Sequence, residues 1–150
     1  MPTNMSEVLA YLEPDEPNYA QAAKLGPDAL PYLKEIIDKQ DVMLASKAAY
    51  LVSLIKSDES ISILEYAALN KNPTIRVAVA SGIRNISEKD ANNLLDKFIE
   101  DKDVGVRKVT LKSVAKFKSN SIVSKVQKLL ESDPEPSIRK LASDVIETMK

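Results

Sequence analysis

The chain has 150 residues, with apolar side chains at 44% of positions, charged side chains at 29% and a formal net charge of −1. This composition is typical of a folded globular protein and not of a disordered chain. It contains no Cys and no His, which excludes disulfide bonds, thiolate or imidazole metal sites, and Ser-His or Cys-His nucleophile pairs. The three Gly are too few for a glycine-rich phosphate-binding loop, so no cofactor is predicted.

The first residues show no basic segment followed by an apolar run, so no secretory signal is predicted. The apolar runs are far shorter than the roughly 20 residues that a membrane-spanning helix needs. We therefore expect a cytoplasmic protein with no membrane association.

The predicted elements begin with an irregular N-terminal part. Residues 4–12 form a short amphipathic segment. A helix start follows at residues 16–20, and this helix is truncated at Leu25. Gly26-Pro27-Asp28 then breaks the chain and caps a second helix. This end of the chain is therefore predicted to be an incomplete repeat unit.

From residue 41 onward the chain repeats one motif at spacings of 31, 31 and 32 residues. The copies are Asp41-Val-Met-Leu-Ala45, Asn72-Pro-Thr-Ile-Arg76, Asp103-Val-Gly-Val-Arg107 and Glu135-Pro-Ser-Ile-Arg139. Each copy begins with a possible capping side chain. Pro or Val follows at the first helical position, where the missing N–H of Pro costs the helix nothing. The motif predicts an N-cap at Asp41, Asn72 and Asp103, and a weaker one at Glu135.

Apolar residues recur at the same positions after each motif, with the spacing of amphipathic helices. The pattern predicts a first helix of about 14 residues and a second helix of about 10–12 residues in each unit. The second-helix core columns are Leu33, Leu64, Leu95 and Val126; Ile36, Ala67, Phe98 and Leu129; and Ile37, Ala68, Ile99 and Leu130. Nothing in the pattern indicates a strand or a long linker.

The Pro-x-aliphatic-Arg opening, preceded by Asp, Asn or Glu, resembles HEAT repeats of the short phycobilisome-lyase type over residues 16–150. The departures are Ala45 in place of Arg, and Val42 and Val104 in place of Pro. The resemblance implies an all-α, right-handed α-α superhelix, a HEAT-like solenoid of about four helix pairs plus incomplete end units. We expect a single domain over residues 1–150, with units at approximately 16–40, 41–71, 72–102, 103–134 and 135–150.

HEAT proteins are mostly binding scaffolds, and their second helices line a concave face, which makes that face the predicted binding surface. The exposed columns of these helices carry mixed charges, with Tyr66 and Leu69 as the bulky members. The predicted partner-binding residues are Glu35, Tyr66, Leu69, Lys97 and Lys128. No activated nucleophile or acid–base pair is recognisable. The chain is therefore predicted to be a non-catalytic scaffold or adaptor for a protein or peptide of unknown identity.

Positive charge is concentrated in residues 76–150, which contain 15 Lys and Arg but only 11 Asp and Glu. Within this part, segment 104–130 contains no acid. The cations of this segment are Arg107, Lys108, Lys112, Lys116, Lys118, Lys125 and Lys128. They favour, as the alternative function, a HEAT-like protein that binds nucleic acid through this basic unit. However, Lys112 is expected on the first helix of the unit and Lys125 on the second. The cations are therefore divided between opposite faces, and nucleic acid is the less favoured partner.

The recurring Arg76, Arg107 and Arg139 are interpreted as structural residues, each pairing with an acid of the neighbouring unit, rather than as a phosphate-binding ladder. On the C-terminal helix, Leu141 and Val145 are expected on a side that no second helix of the same unit covers. They either pack against the preceding second helix or pair with a second copy of the chain as a weak homodimer.

Overall fold

The computed structural model describes residues 2–150, and over these residues the fold is all-α, with no β-strand. The helices are α1 (Met5–Leu12), α2 (Tyr19–Ala23), α3 (Leu30–Lys39), α4 (Val42–Leu54), α5 (Asp58–Ala67), α6 (Pro73–Gly82), α7 (Glu88–Phe98), α8 (Val104–Val114), α9 (Asn120–Ser132) and α10 (Pro136–Met149). Short 3-10 turns occupy Gly26–Ala29 and Ile83–Asn85. The predicted fold class is confirmed. In the described part of the chain, no helix has the length and apolarity that crossing a bilayer requires.

The chain divides into two compact units, the first ending at Gly82 and the second running from Ile83 to Lys150. In the first unit, α4 is the central helix and packs against α2, α3, α5 and α6. In the second unit, α8 packs against α7 and α10, and α9 packs against the same two helices. Each unit is thus built by helix-on-helix packing around apolar stripes.

The predicted core columns are buried with few exceptions. The column of Leu33, Leu64, Leu95 and Val126 is at most 1% exposed. In the second-helix columns, Leu130 is half-buried. It lies within one turn of the end of α9 (Asn120–Ser132), where fewer neighbouring side chains surround it.

Three of the four predicted helix caps are observed, and the weaker one at Glu135 is not. Asp41, Asn72 and Asp103 accept hydrogen bonds from backbone N–H groups of the first helical turn at 3.1, 2.9 and 3.0 Å. Glu135 makes no side-chain cap. Because an N-cap contributes about 1 kcal/mol to helix stability, these residues fix where three of the first helices begin.

The predicted length of the first helices is correct for α4 and α10, with 13 and 14 residues, but wrong for α6 and α8, with 10 and 11. The α-helical part of α6 ends at Gly82, in close approach to α4. A Cβ atom added to Gly82 would lie 2.6 Å from the Cβ and Oγ atoms of Ser53. Only Gly permits this contact between the two helices, and a 3-10 turn follows directly.

The recurring arginines close the loops between repeat units. Each Nη1 donates to the backbone carbonyl of the residue six positions earlier, in the pairs Arg76–Asn70 (2.9 Å), Arg107–Asp101 (2.7 Å) and Arg139–Asp133 (2.6 Å). The side chains of the same three acceptor residues receive a backbone N–H bond from two residues further on, each at 2.9 Å. Every such loop therefore combines an Asx turn with a guanidinium that satisfies a carbonyl beyond the helix end.

Arg107 also forms a buried ion pair. Its Nε lies 2.7 Å and its Nη2 3.2 Å from the two carboxylate oxygens of Asp133. Both side chains are at most 9% exposed. The predicted acid partner is thus found, but Asp133 lies at the end of the same unit, 103–134, and not in the neighbouring one. The same prediction is wrong for Arg139, whose half-buried guanidinium donates to the backbone carbonyl of Asp133 and thereby satisfies the loop rather than a side chain.

At the C-terminal helix, Val145 is buried and Leu141 is half-buried. Helix α10 packs against both α8 and α9. Because Val145 is buried inside the compact unit from Ile83 to Lys150, packing of α10 against the preceding second helix is favoured over pairing with a second copy.

We predict that Arg107→Met lowers the free energy of unfolding by about 3–5 kcal/mol, because it leaves the Asp133 carboxylate buried without its partner. The matched change Arg139→Met removes one hydrogen bond to a carbonyl from a half-buried side chain and should cost about 1.5 kcal/mol. Urea unfolding followed by circular dichroism measures both values. Adding Asp133→Asn to Arg107→Met should recover part of the loss. Equal losses in the two single variants would contradict this account of Arg107.

Candidate protein-interaction surfaces

Helix α5 presents the two bulky residues of the predicted binding surface. Ser57 caps it by accepting the Glu59 N–H at 3.2 Å, and acidic residues in the first turn complement the helix dipole. Burial of one apolar stripe leaves Tyr66 46% and Leu69 69% exposed. The Leu69 N–H donates to the Tyr66 carbonyl at 3.1 Å, so the two residues lie next to each other at the end of the helix.

The exposed Tyr66 ring is held in place by α3. Its hydroxyl donates to Asp38 Oδ1 at 2.5 Å, and Lys34 Nζ lies 5.0 Å from the ring centroid. Lys34 and Asp38 are four residues apart and therefore lie on the same face of α3. The cation–π contact with Lys34 and the hydrogen bond to Asp38 thus hold the Tyr66 side chain of α5 against α3.

The predicted residue Glu35 lies on α3 between these two, but its carboxylate pairs with Lys39 at 3.5 Å. Sequence reasoning selected Glu35 and missed Lys34 and Asp38 as partners of the ring. All three occupy exposed second-helix columns, so the periodicity alone does not separate them. Which of them reaches α5 depends on the register between the two helices.

A groove of about 260 Å³ lies between α3 and α5, beside the Tyr66 ring. Its lining residues are Leu30, Pro31, Lys34, Glu59, Ser62, Ile63 and Tyr66. The buried Leu30 and Ile63 supply an apolar floor, and Lys34 and Glu59 supply one exposed charge of each sign. The groove can therefore take an apolar side chain while hydrogen bonding to a polar backbone.

In the second unit, the predicted residues are Lys97 on α7 and Lys128 on α9, both exposed. Lys128 pairs with Glu100 at 3.2 Å, and its neighbour Lys125 pairs with Asp96 at 2.8 Å. Each of these two lysines of α9 therefore has an acid beside it, Asp96 on α7 and Glu100 just after that helix.

The other lysines of the basic segment lie elsewhere. Lys108 and Lys112 lie on α8, so the predicted division of the cations between two helices is confirmed.

Within residues 2–150, no group of His, Cys, Asp and Glu side chains forms a set that could hold a metal ion.

A family model described as HEAT repeats matches residues 65–147, which is more than half of the chain. The matched part begins within α5 and ends within α10. The chain therefore belongs to the HEAT repeat family, whose members generally mediate protein–protein interactions and are typically non-catalytic scaffolds. No curated protein matches the chain.

The hydrogen bond to Asp38, together with the negative charge of that carboxylate, raises the pKa of Tyr66 above its ordinary value of 10.0. The neutral phenol is thus favoured in the folded state. Its contribution to stability is complete below the unfolded pKa and is lost as the pH rises through the folded pKa.

We predict that the ultraviolet absorbance titration of wild type minus Tyr66→Phe shows a phenol that ionises above pH 10. Asp38→Asn should lower this pKa, because it removes the negative charge beside the hydroxyl. The matched change Glu35→Gln should leave it unaltered, since Glu35 pairs with Lys39. Equal shifts in the two variants would contradict the assigned hydrogen bond.

Proposed function

We propose that this protein is a non-catalytic scaffold or adaptor that binds a protein or peptide through its second helices, which line the concave face in HEAT solenoids. The observation that carries the proposal is the immobilised Tyr66 ring beside the exposed Leu69. An aromatic side chain already fixed in one orientation loses little conformational entropy on binding. Such residues are the usual energetic centres of protein interfaces.

The charges around this ring support a protein or peptide partner rather than a polyanion. Near the groove, Lys34 is accompanied by Glu59, and Asp38 accepts the Tyr66 hydroxyl. A nucleic-acid surface needs clustered cations with few acids among them. Mixed signs around an apolar floor are typical of the rim and core of a protein interface.

In the second unit, we propose Lys97 and Lys128 as rim contacts of the same kind of surface. Because an acid lies beside Lys125 and beside Lys128, these two cations do not form the acid-free cluster that a polyanion needs. Rim charges of this type mainly influence the rate and specificity of association. The main binding energy is therefore assigned to Tyr66 and Leu69.

We predict that Tyr66→Ala/Leu69→Ser weakens partner binding by at least about tenfold, because it removes the fixed aromatic anchor and its apolar neighbour. Affinity capture from the native cell extract, with quantitative mass spectrometry, identifies proteins that wild type retains and this variant loses. A captured protein is then purified and titrated against both chains by calorimetry.

The matched control is Met43→Ser/Val104→Ser. These side chains are 62% and 44% exposed but lie on the first helices α4 and α8. The control should retain the partners with wild-type affinity. If it loses the same proteins, or if the Tyr66 variant binds the purified partner as tightly as wild type, the proposed surface is incorrect.

A further inference from the structure

A second cleft lies in the second unit, on the side of the first helices. It has a volume of about 340 Å³ and is formed between α8 and α10. Lys108 and Lys112 line it from α8, and Lys140 and Leu141 line it from α10. None of these residues belongs to the second-helix surface described above.

The charge in this cleft is strongly positive. Lys108 and Lys112 are exposed, and neither pairs with a carboxylate anywhere in residues 2–150. Lys140 lies 3.4 Å from Asp144, but both side chains are more than 60% exposed, so solvent screens this pair. The lining of the cleft therefore carries three ammonium groups and one carboxylate.

The arrangement of the α8 lysines is unfavourable by itself. Lys108 and Lys112 are four residues apart on α8, and like charges at this spacing on a helix repel one another. Lys125 and Lys128 of α9, in contrast, each have an acid partner, Asp96 on α7 and Glu100 just after it. A ligand that brings negative charge to α8 would relieve this repulsion.

Beneath the charges, the cleft has an apolar base. Ile138 is buried at 1% exposure, and Leu141 is half-buried beside it. No aromatic ring is among the lining residues that could stack on a nucleotide base. The combination of a small apolar base, flanking ammonium groups and one acid fits a peptide better than a phosphate backbone.

We propose that the α8–α10 cleft binds an acidic peptide segment that carries one apolar side chain. Carboxylates of the peptide pair with Lys108 and Lys112, and the apolar side chain packs on Leu141. This site is independent of the proposed function, because it uses different helices and a different partner chemistry.

The probe is a short fluorescein-labelled peptide of Glu and Ser with one central Leu, and binding is followed by fluorescence anisotropy. Wild type should bind with a Kd on the order of micromolar that rises with salt. Lys108→Gln/Lys112→Gln should weaken binding about threefold to thirtyfold, the loss of two exposed ion pairs. Leu141→Ser and Leu-to-Ser in the peptide should each cost about tenfold, with little further loss when combined.

Lys102→Gln/Lys118→Gln is the matched control, because it removes the same charge from exposed lysines outside the cleft. It should change the Kd by no more than about twofold. A loss equal to that of the cleft variant would overturn the proposal in favour of a general charge effect. Absence of peptide binding to wild type would also overturn it, as would tighter binding of a mixed-sequence oligonucleotide that the cleft variant abolishes.

Thermal melting followed by circular dichroism confirms that each variant is folded. Tyr66→Ala/Leu69→Ser should bind the peptide like wild type, since both changes lie in the first unit. An error in the proposed second-helix surface would therefore leave peptide binding unchanged, whereas an error in the α8–α10 cleft would leave partner capture unchanged.

Discussion

The loops before α6, α8 and α10 each depend on a guanidinium group bonded to a backbone carbonyl six residues earlier. The loop before α4 differs, because Ala45 occupies the arginine position. A helix leaves its last carbonyls without partners, and the short loops give them little access to alternative donors. The Asx turn at the same residue fixes the loop, and the arginine fixes the following helix to it. At α6, α8 and α10, this combination determines how the first helix leaves the preceding second helix, and therefore which side chains of neighbouring helices meet.

Contacts between neighbouring second helices also share a common spacing. Tyr66 bonds to Asp38 and Lys128 to Glu100, in both cases 28 residues apart, and Lys125 pairs with Asp96 at nearly the same separation. The same register thus serves an aromatic contact in the first unit and ion pairs in the second. Each of these contacts uses an acid. In the second unit the acids pair with Lys125 and Lys128, whereas in the first unit Asp38 holds the Tyr66 ring, which stays exposed.

The first helices differ because no such pairing reaches the α8 lysines. Lys108 and Lys112 remain beside an apolar base, while Lys125 and Lys128 pair with Asp96 on α7 and Glu100 just after it. The basic segment is continuous in the chain, but its lysines on α9 have acid partners and its lysines on α8 have none within residues 2–150. The two helices therefore differ in surface charge although their composition is similar.

The sequence by itself determined the all-α class, the repeat period, the caps at Asp41, Asn72 and Asp103, and most of the buried columns. Capping bonds span three residues and apolar stripes follow the helical period, so both are local properties of the chain. The early end of α6 at Gly82, the partner of Tyr66 and the α8–α10 cleft were decided by the tertiary structure. Each requires the distance between side chains that lie about 25–30 residues apart, and that distance depends on how whole helices pack rather than on any local pattern.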